Sequence, residues 1–156
     1  MEFMPSGDAA RFATPASGAE RPAPQSGNEP GRDLSSLKVM VVDDEFLAAW
    51  HLQAMLEDMG VVQVELAHDG PSALTLAGRF EPDLVLMDMN LGAGIDGAET
   101  ARRLLQRRPV RMIFITAYGD APTLERIHTA APAAHVLTKP ANPARLHALV
   151  AGPPAH

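Results

Sequence analysis

The chain has 156 residues, a net charge of −6 and 46% hydrophobic residues, which favours one folded domain with an ordinary core. It has no cysteine, which excludes disulfides, thiolate metal sites and thiol nucleophiles. The negative charge disfavours binding to nucleic acid or to a membrane surface. Neither a secretory signal nor an apolar run of about 18 residues that could span a bilayer is present. We therefore expect a cytoplasmic protein that binds neither nucleic acid nor membrane.

Composition divides the chain into three parts. Residues 1–36 are rich in Pro, Gly, Ala and Ser and lack the apolar surface that would offset their ordering entropy, which predicts a disordered tail. Residues 37–151 carry the pattern of a folded domain. Gly152-Pro153-Pro154 then stops the last helix, so residues 152–156 are predicted to be a disordered end. We expect no output domain after this point.

Strand and helix patterns alternate five times from Lys38 onward, which predicts an α/β fold with a doubly wound, five-stranded parallel sheet. Helix one is predicted over 46–59, with Gly60 beyond its end. Its inward stripe is predicted at Ala48, Leu52, Met55, Leu56 and Met59. The strands are predicted at 38–42, 63–67, 84–87, 110–115 and 135–138. Helix two is predicted to start near Pro71 with Asp69 as cap, and helix three to run through 99–105 after a loop over 89–96. Helix four is predicted to start near Pro122, and helix five near Pro143 with Asn142 as cap.

Polar side chains follow four of the predicted strands at the point where each one ends. Asp43 and Asp44 follow the first strand, Asp88 the third, Thr116 the fourth and Lys139 the fifth. The carboxyl ends of parallel strands meet at one edge of an open sheet, and ligands bind there. Three carboxylates, a hydroxyl and an ammonium at that edge predict a cation site that handles a phosphoryl group.

These five residues match, in type and order, the receiver domain of two-component response regulators, and the chain resembles this CheY-like family from about 38 to 150. The resemblance implies a flavodoxin-like (βα)5 fold with strand order 2-1-3-4-5. It implies that Asp88 accepts a phosphoryl group from a histidine kinase or a histidine phosphotransfer protein. It also implies that Thr116 and Lys139 bind the phosphoryl oxygens, and that the Lys139–Pro140 bond is cis. Mg²⁺ would be held by Asp43, Asp44, Asp88 and the backbone carbonyl of Asn90.

The chain departs from the family pattern at two positions that concern signalling. Most receivers have Tyr or Phe three residues before the lysine, whereas this chain has Val136, which has no ring to swing on activation. Tyr118 follows the threonine by two residues, as in a subgroup of stand-alone receivers. We interpret Tyr118 as a gate or as part of the signalling face, with an exposed loop tyrosine as the alternative. Leu47 and Trp50, on the outer face of helix one, are candidates for docking the kinase, and packing of Trp50 against helix five is the alternative.

Two other functions have some support in the sequence. Gly92 to Gly97 matches G-x-G-x-x-G, a dinucleotide-binding pattern, but it follows the third strand and lies beside carboxylates that would repel a pyrophosphate. A Mg²⁺-dependent phosphohydrolase of the haloacid dehalogenase type would also use an aspartyl nucleophile. Asn90 stands where that family needs a second aspartate as general acid, which weighs against it.

We expect a single-domain response regulator that is not an enzyme beyond its own phosphotransfer and dephosphorylation. It would be a monomer or weak homodimer, acting on a separate effector protein or as a phosphoryl sink.

Overall fold

The computed structural model of the chain describes residues 33–152. Most of the predicted tail, residues 1–32, and the C-terminal residues 153–156 lie outside the described residues. The described fold begins at Asp33 rather than at residue 37. Its carboxylate accepts hydrogen bonds from the amide and the hydroxyl of Ser35 at 3.1 and 2.6 Å, and this caps a short 3-10 helix over Leu34–Ser36.

Strands and helices alternate as the sequence predicts. The strands are β1 (Lys38–Val42), β2 (Gln63–Ala67), β3 (Leu84–Met87), β4 (Arg111–Thr116) and β5 (His135–Thr138). The helices are α1 (Phe46–Asp58), α2 (Gly70–Phe80), α3 (Gly97–Arg107), α4 (Ala121–Ala130) and α5 (Pro143–Ala151).

The five described strands form one parallel sheet in the order β2-β1-β3-β4-β5, which confirms the expected topology. Two strand pairings start from β1, with Val42 opposite Ala67 of β2 and opposite Met87 of β3. Strand order therefore reverses between β1 and β3, because the crossover from β1 leads outward to β2 and the crossover from β2 returns past β1 to β3. Ligand-binding crevices of open α/β sheets lie at such a reversal.

The sheet is buried on both faces, which is why its central strands are almost wholly apolar. Alternate residues of β1 enter two different cores: Met40 and Val42 face one, and Val39 and Val41 face the other. Helices α2, α3 and α4 cover the first face, and α1 and α5 cover the second. The strand ends are thereby fixed by packing on both sides.

Helix α1 differs in detail from its predicted inward stripe. Leu52, Met55 and Leu56 are buried as predicted, but the fourth buried residue is Ala49 rather than Ala48. Each residue advances about 100° round a helix, so Ala49 lies on the same line as Leu52 and Leu56, and Ala48 lies at its flank, half-buried. Met59 is the C-cap rather than a helical residue and is also half-buried.

The helix starts agree with the predicted caps. Asp69 accepts the amide of Ser72 at 2.7 Å, and Asn142 accepts the amide of Arg145 at 3.0 Å. Strand β4 is one residue later than predicted, since it contains Thr116 and excludes Val110. Over residues 33–152, the helices are all too short or too polar to cross a bilayer.

Candidate functional site

Four strand ends bring the predicted site residues to one edge of the sheet. Asp43 directly follows β1, Asp88 follows β3, Thr116 ends β4 and Lys139 follows β5. Backbone bonds continue the strand pairing one residue further: the amide of Asp88 donates to Val42 O at 2.9 Å, and the amide of Lys139 donates to Thr116 O at 2.7 Å. The site is therefore built on the sheet itself, which fixes its side chains more firmly than a loop would.

Three carboxylates meet at this edge with different exposures. Asp43 and Asp88 are only 1% and 6% exposed, whereas Asp44 is exposed. Each of the three offers an oxygen, and these oxygens lie within 4.8 Å of one another. Hard divalent cations such as Mg²⁺ bind oxygen ligands of this kind, and a cation would relieve the repulsion among the carboxylates. The donor set therefore fits the predicted Mg²⁺ site.

Lys139 supplies the positive charge that faces the two buried carboxylates. Its Nζ lies 3.3 Å from Asp43 Oδ2 and 3.2 Å from Asp88 Oδ2. Burial disfavours the charged ammonium, but attraction to Asp88 and Asp43 outweighs burial and raises the pKa of Lys139. The side chain is thus a permanent cation at the floor of the site. The Lys139–Pro140 bond is cis, as expected.

Asp88 is the carboxyl group whose ionisation its surroundings disfavour most clearly. Burial, together with the charge of Asp43, raises the pKa of Asp88 to about 6, although Lys139 and the amide of Asn90 oppose the shift. One ammonium does not fully offset two buried carboxylates. The site therefore has spare negative charge that a bound cation would balance.

Backbone amides orient the carboxylates. The amide of Glu45 donates to Asp43 Oδ1 at 2.9 Å, and the amide of Asn90 donates to Asp88 Oδ1 at 3.3 Å. The Asn90 side chain in turn accepts the amide of Gly92 at 3.2 Å. One oxygen of each buried aspartate is thus held by backbone, and the other faces Lys139.

Glycines shape the loop between β3 and α3 for two reasons. Gly92 and Gly94 have φ of +74° and +92°, a region that favours glycine. Gly97 is needed for close approach, because a Cβ there would lie 2.1 Å from the carbonyl oxygen of Asp88. The glycine pattern that resembles a dinucleotide motif is therefore explained by the backbone around Asp88.

A cavity of about 490 Å³ opens at this edge of the sheet. Of the predicted site residues, it is lined by Asp44, Asp88, Asn90, Thr116, Tyr118 and Lys139. Thr116 is buried, and its hydroxyl oxygen accepts the amide of Tyr118 at 3.1 Å. The Tyr118 ring is 65% exposed. Val136 is away from this cavity, half-buried against the core face that α2, α3 and α4 cover.

The two docking candidates lie on an exposed apolar surface in the first turns of α1, shortly after Asp43 and Asp44. Leu47 is exposed and Trp50 is 58% exposed. The ring of Trp50 contacts Phe46, also exposed, at a centroid distance of 5.9 Å and an angle of 35°. The sequence pattern singled out Leu47 and Trp50 but not Phe46.

Asp96 and Arg126 also line the cavity, and the sequence did not single them out. Asp96 Oδ1 caps α3 by accepting the amide of Glu99 at 3.0 Å, and Asp96 Oδ2 is 2.5 Å from a nitrogen of Arg126 on α4. A helix start at Gly97 was the one signal that could have marked Asp96 as a cap. Arg126 has no local signal, because only the packing of α4 beside α3 brings it there.

Comparisons with known proteins agree with this geometry. A family model described as the response regulator receiver domain matches residues 39–151. The chain is 31% identical over 128 residues to the phyllosphere-induced regulator PhyR of Methylorubrum extorquens, covering 79% of this chain and 46% of PhyR. It is 36% identical over 102 residues to the response regulator GacA of Pseudomonas aeruginosa, covering 64% of this chain and 47% of GacA. The chain spans about half the length of these curated relatives.

A solved structure is similar at the level of the fold and of the sequence. It is described as a response regulator protein from Burkholderia pseudomallei with a phosphorylated aspartic acid, calcium ion and citrate. It matches with a TM-score of 0.66 and 27% identity, over 74% of this chain and 66% of that one. These matches favour the receiver interpretation over the dehalogenase-like alternative. Since the family model covers most of the chain, the chain belongs to the response regulator receiver domain family and to two-component signalling.

Proposed function

We propose that this receiver accepts a phosphoryl group on Asp88 from the phosphohistidine of a sensor histidine kinase or a phosphotransfer protein. The observation that carries the proposal is the pairing of buried Asp88 with Lys139 at 3.2 Å, beside two further carboxylates that suit a divalent cation. Burial keeps water from the carboxylate, and the neighbouring ammonium favours the negative charge that phosphoryl transfer brings. The phosphorylated aspartic acid of the Burkholderia pseudomallei relative supports the same chemistry here.

The proposed reaction is a single displacement at phosphorus. A carboxylate oxygen of Asp88 forms a bond to phosphorus, and the bond from phosphorus to the donor's imidazole nitrogen breaks. The electron pair of the broken bond stays on that nitrogen. Asp88 must be ionised to attack, and a bound cation would favour the ionised form against the burial that raises the pKa of Asp88 in the metal-free site.

Lys139 and Thr116 would bind the phosphoryl oxygens once they are in place. Lys139 already contacts the acceptor carboxylate and carries a stable positive charge. The Thr116 oxygen already accepts the amide of Tyr118, so the hydroxyl proton of Thr116 is available for donation to a phosphoryl oxygen. Both groups belong to strand ends and need little rearrangement to act.

Asp43, Asp44, Asp88 and the backbone carbonyl of Asn90 are the groups that would hold Mg²⁺. The ion would neutralise charge that develops on the phosphoryl oxygens during transfer. Asp44 is the exposed member of the set, so its carboxylate can adjust to a cation more freely than those of Asp43 and Asp88.

We propose that Leu47 and Trp50 contact the phosphoryl donor and that Tyr118 takes part in output. The exposed apolar surface of Phe46, Leu47 and Trp50 suits a protein partner, because adjoining large apolar side chains in water mark interaction sites more often than singly exposed ones do. Val136 leaves no ring to swing behind Thr116, which favours Tyr118 as the side chain that responds. Output would be altered binding of a separate effector, or withdrawal of phosphoryl from a shared kinase.

The test is intact mass spectrometry after incubation with acetyl phosphate and Mg²⁺. Wild type should gain one phosphoryl group, and EDTA should block the gain. Asp88→Asn should gain none, whereas Asp58→Asn, which alters an exposed aspartate at the end of α1, should behave as wild type. No adduct in wild type, or an equal adduct in Asp88→Asn, would contradict the proposal.

A further inference from the structure

An ion pair crosses the side of the acceptor cavity between two helices. Arg126 of α4 and Asp96 at the start of α3 approach to 2.5 Å through a terminal guanidinium nitrogen and Oδ2. The Arg126 side chain is 55% exposed and that of Asp96 is 30% exposed. Both side chains line the same cavity as Asp88 and Lys139, so the pair belongs to the walls of the space into which a phosphoryl group on Asp88 would extend.

The charges on the cavity wall are unevenly distributed. Lys139 and Arg126 are the two cations among the described residues that line the cavity. Lys139 is already engaged by Asp43 and Asp88. Among residues 33–152, the one ion-pair partner of Arg126 is Asp96, which it contacts through one terminal nitrogen. Arg126 is therefore the cation with donors to spare when negative charge is added to the cavity.

A guanidinium suits the task chemically. Its donors form a planar fork that matches phosphoryl oxygens, and charge-assisted bonds to such oxygens are stronger than those between neutral groups. A phosphorylated carboxylate carries about one more negative charge than the aspartate it replaces. A single carboxylate at Asp96 competes poorly for a half-exposed guanidinium against a doubly charged group.

Asp96 can release Arg126 without loss of its structural role. Its other oxygen, Oδ1, caps α3 through the amide of Glu99 at 3.0 Å. The cap and the ion pair thus use different oxygens. Loss of the pair would leave the start of α3 intact and would remove one link between α3 and α4, while buried Ile127 would still hold α4 on the core.

We propose that Arg126 is a second phosphoryl-binding cation, which Asp96 holds beside the cavity until Asp88 is phosphorylated. The inference rests on the proposed function of Asp88. On phosphorylation Arg126 exchanges its contact with Asp96 for one with a phosphoryl oxygen. The exchange removes the ion pair between α3 and α4 and so transmits the state of Asp88 to α4, whose Leu124 and His128 border a separate groove with β5 and α5.

The test measures binding of beryllofluoride, a non-covalent mimic of the phosphoryl group, by fluorine-19 NMR in the presence of Mg²⁺. Arg126→Ala should weaken binding by about fivefold, as expected for loss of one half-exposed charge-assisted contact. Arg126→Lys keeps the positive charge but loses the forked donors, so its affinity for beryllofluoride should lie between those of wild type and Arg126→Ala. Asp96→Asn should strengthen binding, because it keeps a capping oxygen and frees Arg126. Arg102→Ala, outside the cavity on α3, is the matched control and should have no effect.

The signs of these effects separate the proposal from a purely structural role. If the ion pair only fastened α4 to α3, Arg126→Ala and Asp96→Asn would change binding in the same direction, which would contradict the proposal. A strengthening by Asp96→Asn that persists in the Arg126→Ala background would also contradict it, because Asp96 would then act through its own charge. If wild type and Asp88→Asn bound beryllofluoride equally, the proposed function itself would fail, before Arg126 was in question.

Discussion

Two charged clusters of this chain differ in both burial and balance of charge. At the carboxyl edge of the sheet, the carboxylates of Asp43 and Asp88 share the single ammonium of Lys139 in a mostly buried setting. On the outer face of α3, the single carboxylate of Glu99 receives the guanidiniums of Arg102 and Arg103, at 2.6 and 2.7 Å, in contact with solvent.

The pKa shifts of the two carboxyl groups run in opposite directions for this reason. Burial raises the pKa of Asp88 to about 6, whereas hydrogen bonds from Arg102 and Arg103 lower that of Glu99 to about 2. The exposed cluster is satisfied and does little beyond supporting its helix. The buried cluster is left with excess negative charge, which is the condition a cation-dependent phosphoryl acceptor requires. Carboxylates in the same fold thus acquire different roles from burial and from the number of their partners.

The largest expected change in stability comes from the close contact between Gly97 of α3 and the backbone of Asp88. A Cβ at Gly97 would lie 2.1 Å from Asp88 O and 2.9 Å from Met89 Cα, so Gly97→Ala must displace the acceptor backbone. We expect a loss of about 3 kcal/mol in the free energy of unfolding, measured by urea titration. Gly78→Ala, at an exposed position of α2 where an added Cβ would have no atom within 4 Å, is the control and should be about 0.5–1 kcal/mol more stable than wild type. Equal stability of the two variants would refute the close-contact argument.

The next effect tests the shared ammonium. Lys139→Met keeps the side-chain stem but leaves two buried carboxylates without their cation. Because Lys139 itself is one quarter exposed, we expect a loss of about 2 kcal/mol near neutral pH in EDTA, which is less than the roughly 3–5 kcal/mol typical of breaking a fully buried pair. Mg²⁺ should recover part of it, since the cation would replace the missing positive charge. Arg102→Met, on the exposed cluster, should leave stability near that of wild type. A Lys139→Met variant as stable as wild type in EDTA would mean that the buried carboxylates need no counter-charge.

The sequence predicted the sheet, its order and the acceptor edge because each depends on local patterns. Apolar runs that end in Asp43, Asp88, Thr116 and Lys139 mark strands and their carboxyl ends, and the structure brings all four together. Caps such as Asp69 are equally local, since each acts within three residues of itself.

Features set by packing between distant elements were not predicted. The close approach of Gly97 to Asp88, and the pairing of Arg126 with Asp96 thirty residues earlier, depend on how α3 and α4 sit against the sheet. Ala49, rather than the predicted Ala48, lies on the buried side of α1. The two alanines are adjacent and identical, so the sequence pattern does not distinguish which of them faces the core. Local patterns therefore locate the candidate site at the strand ends, and only tertiary packing reveals which side chains from α3 and α4 lie beside it.

The smallest effect tests the opposite titration of the two carboxyl groups. The native pKa of Asp88, about 6, is above the usual 3.8, so the folded state binds its proton more tightly than the unfolded state does. In EDTA, stability from this group is fully present below about pH 4 and is lost as pH rises through about 6. Asp88→Asn should remove that loss and be about 1 to 2 kcal/mol more stable than wild type near neutral pH.

Glu99→Gln is the matched control for this titration, because the stability that Glu99 contributes changes with pH in the opposite direction to that of Asp88. The lowered pKa of Glu99 means that its contribution is present above the usual carboxyl pKa and is lost as pH falls toward about 2. Urea titrations of both variants at a series of pH values would distinguish the clusters by the direction in which stability changes with pH. A stability of Asp88→Asn that follows wild type through pH 4 to 6 would show that the buried cluster is balanced after all. The buried cluster would then have no excess negative charge for a cation to balance.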